Sequence, residues 1–213
     1  CYIAVDKKNQ IIATANYRGG SISIFGIQND GFLSSVRQVI EFSGAGPDPD
    51  RPNQSHLHCV RFSPDVKYLF ATDLGTDALH RFKLKENQAL LDESSLKKYK
   101  VSGGAGPRHL EFHPSGKTAY LIHELSGTLT GFRYNKGELE EFMSIEADSL
   151  HARGSADIAI TPDGKYIYTS NRLKGDGVAV FSIDTKGKLQ KKGYQYTGAH
   201  PRNLMITPNG KFL

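Results

Sequence analysis

The sequence contains no tryptophan, two methionines and only two cysteines, Cys1 and Cys59, among 213 residues. Two thiols cannot form the multi-bridge framework of a small secreted domain, so a reducing, cytoplasmic setting is expected. No stretch approaches the roughly 18 consecutive apolar residues of a membrane span. The opening Cys1-Tyr2-Ile3-Ala4-Val5 lacks a basic segment followed by a long apolar run, so no secretion signal is read, although a chain beginning at Cys is open to trimming. Sustained helical periodicity is missing too; alternation of the Thr128-Leu129-Thr130 kind has period two. The net charge of +5 is modest, and lysines are spread through turns such as Gly164-Lys165 and Gly210-Lys211. No basic run interleaved with aromatics is found, which argues against nucleic acid as a partner. Asn53-Gln54-Ser55 matches the glycosylation pattern, but so short a motif arises readily by chance.

A repeat dominates what is present. Val60-Arg61-Phe62-Ser63-Pro64-Asp65-Val66-Lys67-Tyr68-Leu69-Phe70 aligns with Ile158-Ala159-Ile160-Thr161-Pro162-Asp163-Gly164-Lys165-Tyr166-Ile167-Tyr168. Leu110-Glu111-Phe112-His113-Pro114-Ser115-Gly116-Lys117 is a third copy, and Leu204-Met205-Ile206-Thr207-Pro208-Asn209-Gly210-Lys211 begins another. The anchor prolines Pro64, Pro114, Pro162 and Pro208 are spaced by 50, 48 and 46 residues. A degenerate copy runs through Ala4–Asn9 and Ile11–Asn16. Each copy reads as an apolar strand, a Pro-Asp-Gly-Lys-type turn, a second strand, a third strand ending in Phe (Phe25, Phe82, Phe132, Phe181) and an irregular fourth. Four short strands per repeat is the pattern of a β-propeller blade. The expected fold is therefore all-β, a single propeller domain over 1–213 forming an incomplete arc of about four blades. Its units are 1–54 (partial), 55–105, 106–153, 154–199 and 200–213 (a start only). An arc of this kind should expose apolar edge surface.

The repeat also supplies a coordinate system. Six residues before each anchor proline stand His58, Arg108, Ala156 and Arg202; ten after it stand Leu74, Glu124 and Arg172. Two antiparallel strands joined by a tight turn begin and end on the same side, so these slots share one rim. His58, Arg108, Glu124, Arg172 and Arg202 are thus expected around one mouth. The alternative is a solvated charged rim of little energetic consequence. Gly-rich segments precede the slots: Ser43-Gly44-Ala45-Gly46-Pro47, Gly103-Gly104-Ala105-Gly106-Pro107 and Gly198-Ala199-His200-Pro201. They read either as backbone that approaches a ligand closely or as crossings between blades. The crossing from Gly46 to Ser55, with its three prolines, is long enough to border a site.

His56 and His58, two apart on a strand, share a face and suit a metal, with His200 or Glu124 as a third ligand. The neighbouring arginines would repel a cation, so neither metal nor other cofactor is called for. His58 is better read as a base or hydrogen-bond donor. His56, His200, Arg202 and Arg153 are read as substrate-binding groups. His80, His113 and His151 read as ordinary blade or loop residues, and His109 and His123 as packing or supporting groups. No Gly-x-Ser-x-Gly elbow or Ser-His-Asp arrangement is present, which argues against covalent acyl transfer.

Three segments carry a resemblance: Ser55-His56-Leu57-His58; Gly104-Ala105-Gly106-Pro107-Arg108-His109-Leu110-Glu111-Phe112-His113-Pro114; and Tyr120-Leu121-Ile122-His123-Glu124-Leu125. Ala156-Asp157 through Lys165 and Asn171-Arg172 add to them. The sequence resembles the seven-bladed propeller lactonases, the group of bacterial 6-phosphogluconolactonase, and is similar to fungal carboxymuconate-lactonising enzymes. The resemblance covers about four of seven blades. It implies a site of one His, two Arg and one Glu, by motif position His58, Arg108, Arg172 and Glu124. It implies hydrolysis of an anionic sugar lactone, 6-phosphogluconolactone, in the pentose phosphate route, without cofactor, nucleic acid or membrane. A lactonising or isomerising reaction on a muconate-like dicarboxylate, and a non-catalytic binding propeller, remain alternatives.

Overall fold

The computed structural model describes residues 1–6, 8, 10–48, 54–85 and 90–213. Asn53 of the glycosylation pattern, and Pro49 and Pro52 of the long crossing, lie outside the described residues. All regular structure among those described is strand: β1 (Tyr2–Val5), β2 (Ile11–Asn16), β3 (Ser21–Ile27), β4 (Leu33–Glu41), β5 (Leu57–Phe62), β6 (Tyr68–Asp73), β7 (Ala78–Leu84), β8 (Leu91–Lys100), β9 (Pro107–Phe112), β10 (Thr118–His123), β11 (Thr128–Asn135), β12 (Glu138–Glu146), β13 (Ser155–Ile160), β14 (Tyr166–Asn171), β15 (Gly177–Ile183) and β16 (Leu189–Tyr196). They form four antiparallel four-stranded sheets, each a simple meander in chain order, as in propeller blades. The first sheet corrects an expectation. The leading copy, expected to be partial, forms all four strands, although its turn lacks the anchor proline. Residues 200–213 form the repeat's turn, closed by Thr207 N donating to Phe212 O at 2.9 Å, but no strand.

The chain divides into two compact units, Cys1–Pro107 and Arg108–Leu213. In the first, Ile11, Ala13, Ala15, Ile22 and Ile24 share a core with Leu57, Val60, Leu69, Ala71 and Phe82. Gln38 of β4 stitches the two sheets at their outer strands, donating to Leu91 O at 3.1 Å and accepting from Leu91 N at 2.8 Å. In the second, Tyr120, Ile122 and Leu129 pack with Ile158, Ile167, Ala179 and Phe181. Tyr120 OH donates to Gly187 O at 2.7 Å, so its buried hydroxyl is satisfied. Fully burying a side chain of this size stabilises by about 1.5–3 kcal/mol. Ile3 and Val5 of β1, and Met205, Phe212 and Leu213, are exposed.

Two irregularities recur. Between the third and fourth strands the register slips beside the repeat's Phe: at Ile24/Phe25, Arg81/Lys83, Gly131/Phe132 and Val180/Phe181. A second bulge lies on the first strand. Leu57 faces Asp73 and Cys59 faces Thr72, which leaves His58 as the extra residue. Ser155 faces Asn171 and Ile158 faces Thr169, so Ala156 and Asp157 share one partner's space. The amide just past each slot then bonds a hydroxyl instead of the ladder, Cys59 N to Thr72 Oγ1 and Asp157 N to Ser170 Oγ, both at 3.0 Å. Bulges re-aim side chains, and these two fall on the slots the repeat singled out.

The hairpin turns share one scaffold. Gly116, Gly164 and Gly210 adopt φ of 68°, 72° and 68°, and at the equivalent position Val66 is held at 54°. A β-branched residue is strained there. Val66→Gly should raise stability by about 0.5–1 kcal/mol, relief of strain exceeding the added unfolded-state entropy. Urea denaturation of the two proteins checks it.

Candidate active site

Arg108, Glu124 and Arg172 come together in the second unit. Arg108 is the second residue of β9; Glu124 follows β10 and Arg172 follows β14. Arg108 Nε donates to Glu124 Oε2 at 2.7 Å, and Arg172 Nη2 lies 3.6 Å from the same oxygen. Arg108 Nη1 also donates to Ala156 O. Arg172 Nε donates to Gly154 O at 2.9 Å. The three side chains are 1%, 7% and 6% exposed, which excludes the solvated rim. Burying a guanidinium costs several kcal/mol unless it is paired and hydrogen-bonded, and here one carboxylate serves two. Burial pushes the Arg108 guanidinium down from its usual range. Glu124 holds it up, Arg202 pushes it down and Asp157 raises it, and the net result is a lowered value. Arg202 thus acts on Arg108 through its charge, although its own side chain is exposed.

The remaining candidates are placed as follows. His56 and His58 belong to the first unit. The Tyr17 ring stacks on His56 at 4.4 Å and meets His58 edge-on at 5.5 Å. His56 Nδ1 lies 3.2 Å from Tyr17 O, and its backbone N donates to Asp73 Oδ1 at 2.8 Å. His58 is buried. Arg153 and His200 are exposed and hold left-handed backbone, φ 59° and 57°. Among the described residues no group of three or more His, Cys, Asp or Glu is arranged to hold a metal.

The Gly-rich segment before Arg108 is a crossing rather than a ligand cradle. Gly104 N and Gly106 N each donate to the Asp77 carboxylate at 2.7 Å. Their φ of 75° and 65° turn those amides toward it, which favours glycine at both positions. Asp157, quoted above with no role, was missed by sequence reasoning. Its Oδ1 lies 2.6 Å from His109 Nδ1, and His109 Nε2 is 3.2 Å from Arg108 Nη1. Burial pushes the Asp157 carboxyl up, but hydrogen bonds from His109 and from the Leu204 and Ile158 amides more than offset this and hold it below the usual carboxylate value. The one available signal was a polar residue beside the slot in consecutive repeats: His109, Asp157, Asn203. Tyr17 was missed as well. A groove of about 790 Å³ lies at the turn ends of β1–β2 and β5–β6, lined by Asp6, Lys8, Arg37, Lys67 and Lys83 among others. No candidate residue lines it.

The sequence model of the family described as Lactonase, 7-bladed beta-propeller, matches residues 1–213. The chain belongs to this family. It is 37% identical over its whole length to a Formosa agariphila protein named 6-phosphogluconolactonase, covering 62% of that protein, and 37% identical to a Bacillus subtilis protein of the same name, covering 61%. The chain therefore spans about three-fifths of the relatives it matches. Among solved structures, a Bacteroides fragilis protein is 51% identical with a TM-score of 0.93, over 99% of this chain and 61% of that one. The Pseudomonas aeruginosa periplasmic gluconolactonase is 28% identical with a TM-score of 0.90, over 98% and 60%.

Two outcomes test the electrostatics. Glu124→Ala leaves two buried guanidiniums without their carboxylate and should destabilise by about 3–5 kcal/mol, whereas Glu124→Gln, which keeps an acceptor, should cost less; thermal unfolding distinguishes them. His123, next in sequence to Glu124, is pushed down by burial to about 4, with Nε2 3.0 Å from Thr130 Oγ1. A histidine depressed in the fold binds its proton in the unfolded state first. Between about pH 6.5 and 4 the unfolded state therefore holds more protons, and stability falls as pH falls, by about 3 kcal/mol in total. His123→Leu should flatten that part of the stability–pH curve in urea titrations.

Proposed function

We propose that the Arg108–Glu124–Arg172 cluster serves hydrolysis of a sugar lactone, with 6-phosphogluconolactone as substrate. The carrying observation is a pair of buried guanidiniums gathered on one carboxylate; the names of the Formosa and Bacillus relatives support the substrate. Water adds to the lactone carbonyl carbon, negative charge builds on the carbonyl oxygen, the ring carbon–oxygen bond breaks, and the ring oxygen takes a proton. The products are the open hydroxy-carboxylate and a proton. Arg108, fixed and desolvated, faces the developing oxyanion, where a preorganised donor is worth most. Arg172 with Arg202 binds the phosphate through charge-assisted bonds. Glu124 Oε2 is committed to two cations, so Glu124 orients the arginines rather than taking the proton. The base is a group outside these three side chains, and by motif position the family resemblance implies His58. His56, His200 and Arg153 remain candidates for further substrate contacts. A cytoplasmic location belongs to the same reading, consistent with two unbridged cysteines, Cys1 and Cys59.

The test is acid release from lactones by the intact protein in a pH-stat. Phosphorylated gluconolactone should be turned over with a lower KM than its unphosphorylated form. Arg172→Met keeps the Arg108–Glu124 pair and should raise KM for the phosphorylated lactone about 10–100-fold. His58→Asn should lower kcat about 100-fold. No hydrolysis of either lactone would overturn the reading, and turnover of a muconolactone alone would reassign the site to lactonising chemistry.

A further inference from the structure

One residue past the arginine slot, three successive copies place His109, Asp157 and Asn203, and their side chains are linked in series. His109 Nδ1 lies 2.6 Å from Asp157 Oδ1, and Asn203 Nδ2 donates to Asp157 Oδ2 at 2.7 Å. The same carboxylate accepts Ile158 N at 2.9 Å and Leu204 N at 2.8 Å. His109 and Asp157 are 6% and 5% exposed, so solvent does not compete for these bonds.

Proton placement follows from the donor inventory. An ionised carboxylate only accepts, and a guanidinium only donates. Between Asp157 and Arg108 the imidazole must therefore carry its proton on Nδ1 and present the Nε2 lone pair to Arg108 Nη1, 3.2 Å away. The low-lying Asp157 carboxyl agrees with this assignment. Arg108 is then held by three bonds: Glu124 at Nε, and Ala156 O with His109 at Nη1. Asp157 also fixes Asn203 and Leu204, the residues next to Arg202, whose charge reaches Arg108.

We propose that Asp157 and His109 are positioning residues for the reaction: Asp157 sets the His109 tautomer, His109 fixes the Arg108 guanidinium, and Asp157 at the same time anchors the Arg202 segment. This rests on the lactone reading of the cluster and adds the device that orients it. An Asp–His pair that merely stabilised the fold would tolerate an isosteric amide. Asp157→Asn leaves one acceptor oxygen; kept toward Asn203 and Leu204, at the expense of the Ile158 amide, it turns the NH₂ toward His109. The imidazole proton is then driven to Nε2, where it opposes an Arg108 N–H.

The test compares four variants of the intact protein. Asp157→Asn and His109→Phe should lower kcat about 10–100-fold, the cost of misplacing a reacting group by about an ångström, with KM changed less than about threefold. His109→Gln, whose side-chain oxygen can accept from Nη1, should recover kcat to within about fivefold of the parent. Imidazole ¹H–¹⁵N correlations should show His109 protonated at Nδ1 in the parent and at Nε2 in Asp157→Asn. If Asp157→Asn and His109→Phe keep kcat within about twofold while Arg108→Met abolishes it, positioning is overturned and the lactone reading stands. If Arg108→Met is itself fully active, the lactone reading fails. Should the Asp157→Asn and His109→Phe proteins not fold, an Nε2-protonated His109 in the parent would still refute the proposal.

Discussion

A guanidinium with almost no exposure needs an anion within hydrogen-bond reach, and Arg108 finds it on its own hairpin. Glu124 is sixteen residues further along, at the far end of the return strand. Antiparallel pairing brings the two ends of β9 and β10 to one side, so the sequence separation matters little. Once the pair is formed, a second arginine from the next sheet shares the same oxygen, and the backbone carbonyls of Gly154 and Ala156 take further N–H groups. Two positive charges around one negative leave these three side chains with a net positive charge. The same shortage of negative charge makes the cluster sensitive to its supports, because a buried cation that loses one partner has no water to replace it.

Bulges set two of the first-strand slots, at His58 and at Ala156. A regular ladder would place successive side chains on opposite faces and consume each amide. At His58 and at Ala156–Asp157 an extra residue is inserted, and the amide that loses its ladder partner is satisfied by Thr72 or Ser170. The hydroxyls are therefore structural parts of the slots. They stabilise the break in pairing that turns a polar side chain aside.

Much of this was legible in the sequence because the repeat converts distance along the chain into place on a sheet. The slots of Arg108, Glu124 and Arg172 could be counted from the prolines, and the counting put them beside strand ends. The first copy misled because its turn has no proline, yet Asp6 closes it by accepting from Gln10 N and Ile11 N at 2.7 and 2.9 Å. The Gly-rich segment before Arg108 was open to two readings. Glycine marks unusual backbone but not its purpose, and only the structure reveals that Asp77 holds those amides. Asp157 escaped notice because a bulge has no sequence signature, and an acid beside an alanine slot looks like surface until its four partners are seen.

A tandem repeat also constrains how such a site can change. A slot residue is replaceable, as Ala156 demonstrates, because its neighbours in the ladder do not depend on its side chain. The adjacent row is different where its members bond one another: His109, Asp157 and Asn203 form a series in which each partner fixes the proton or amide orientation of the next. Changing the middle member alters both ends, one leading to Arg108 and the other to the Arg202 segment. The charge at the slots sets what chemistry is available, and the row behind them sets whether that charge is held still enough to use.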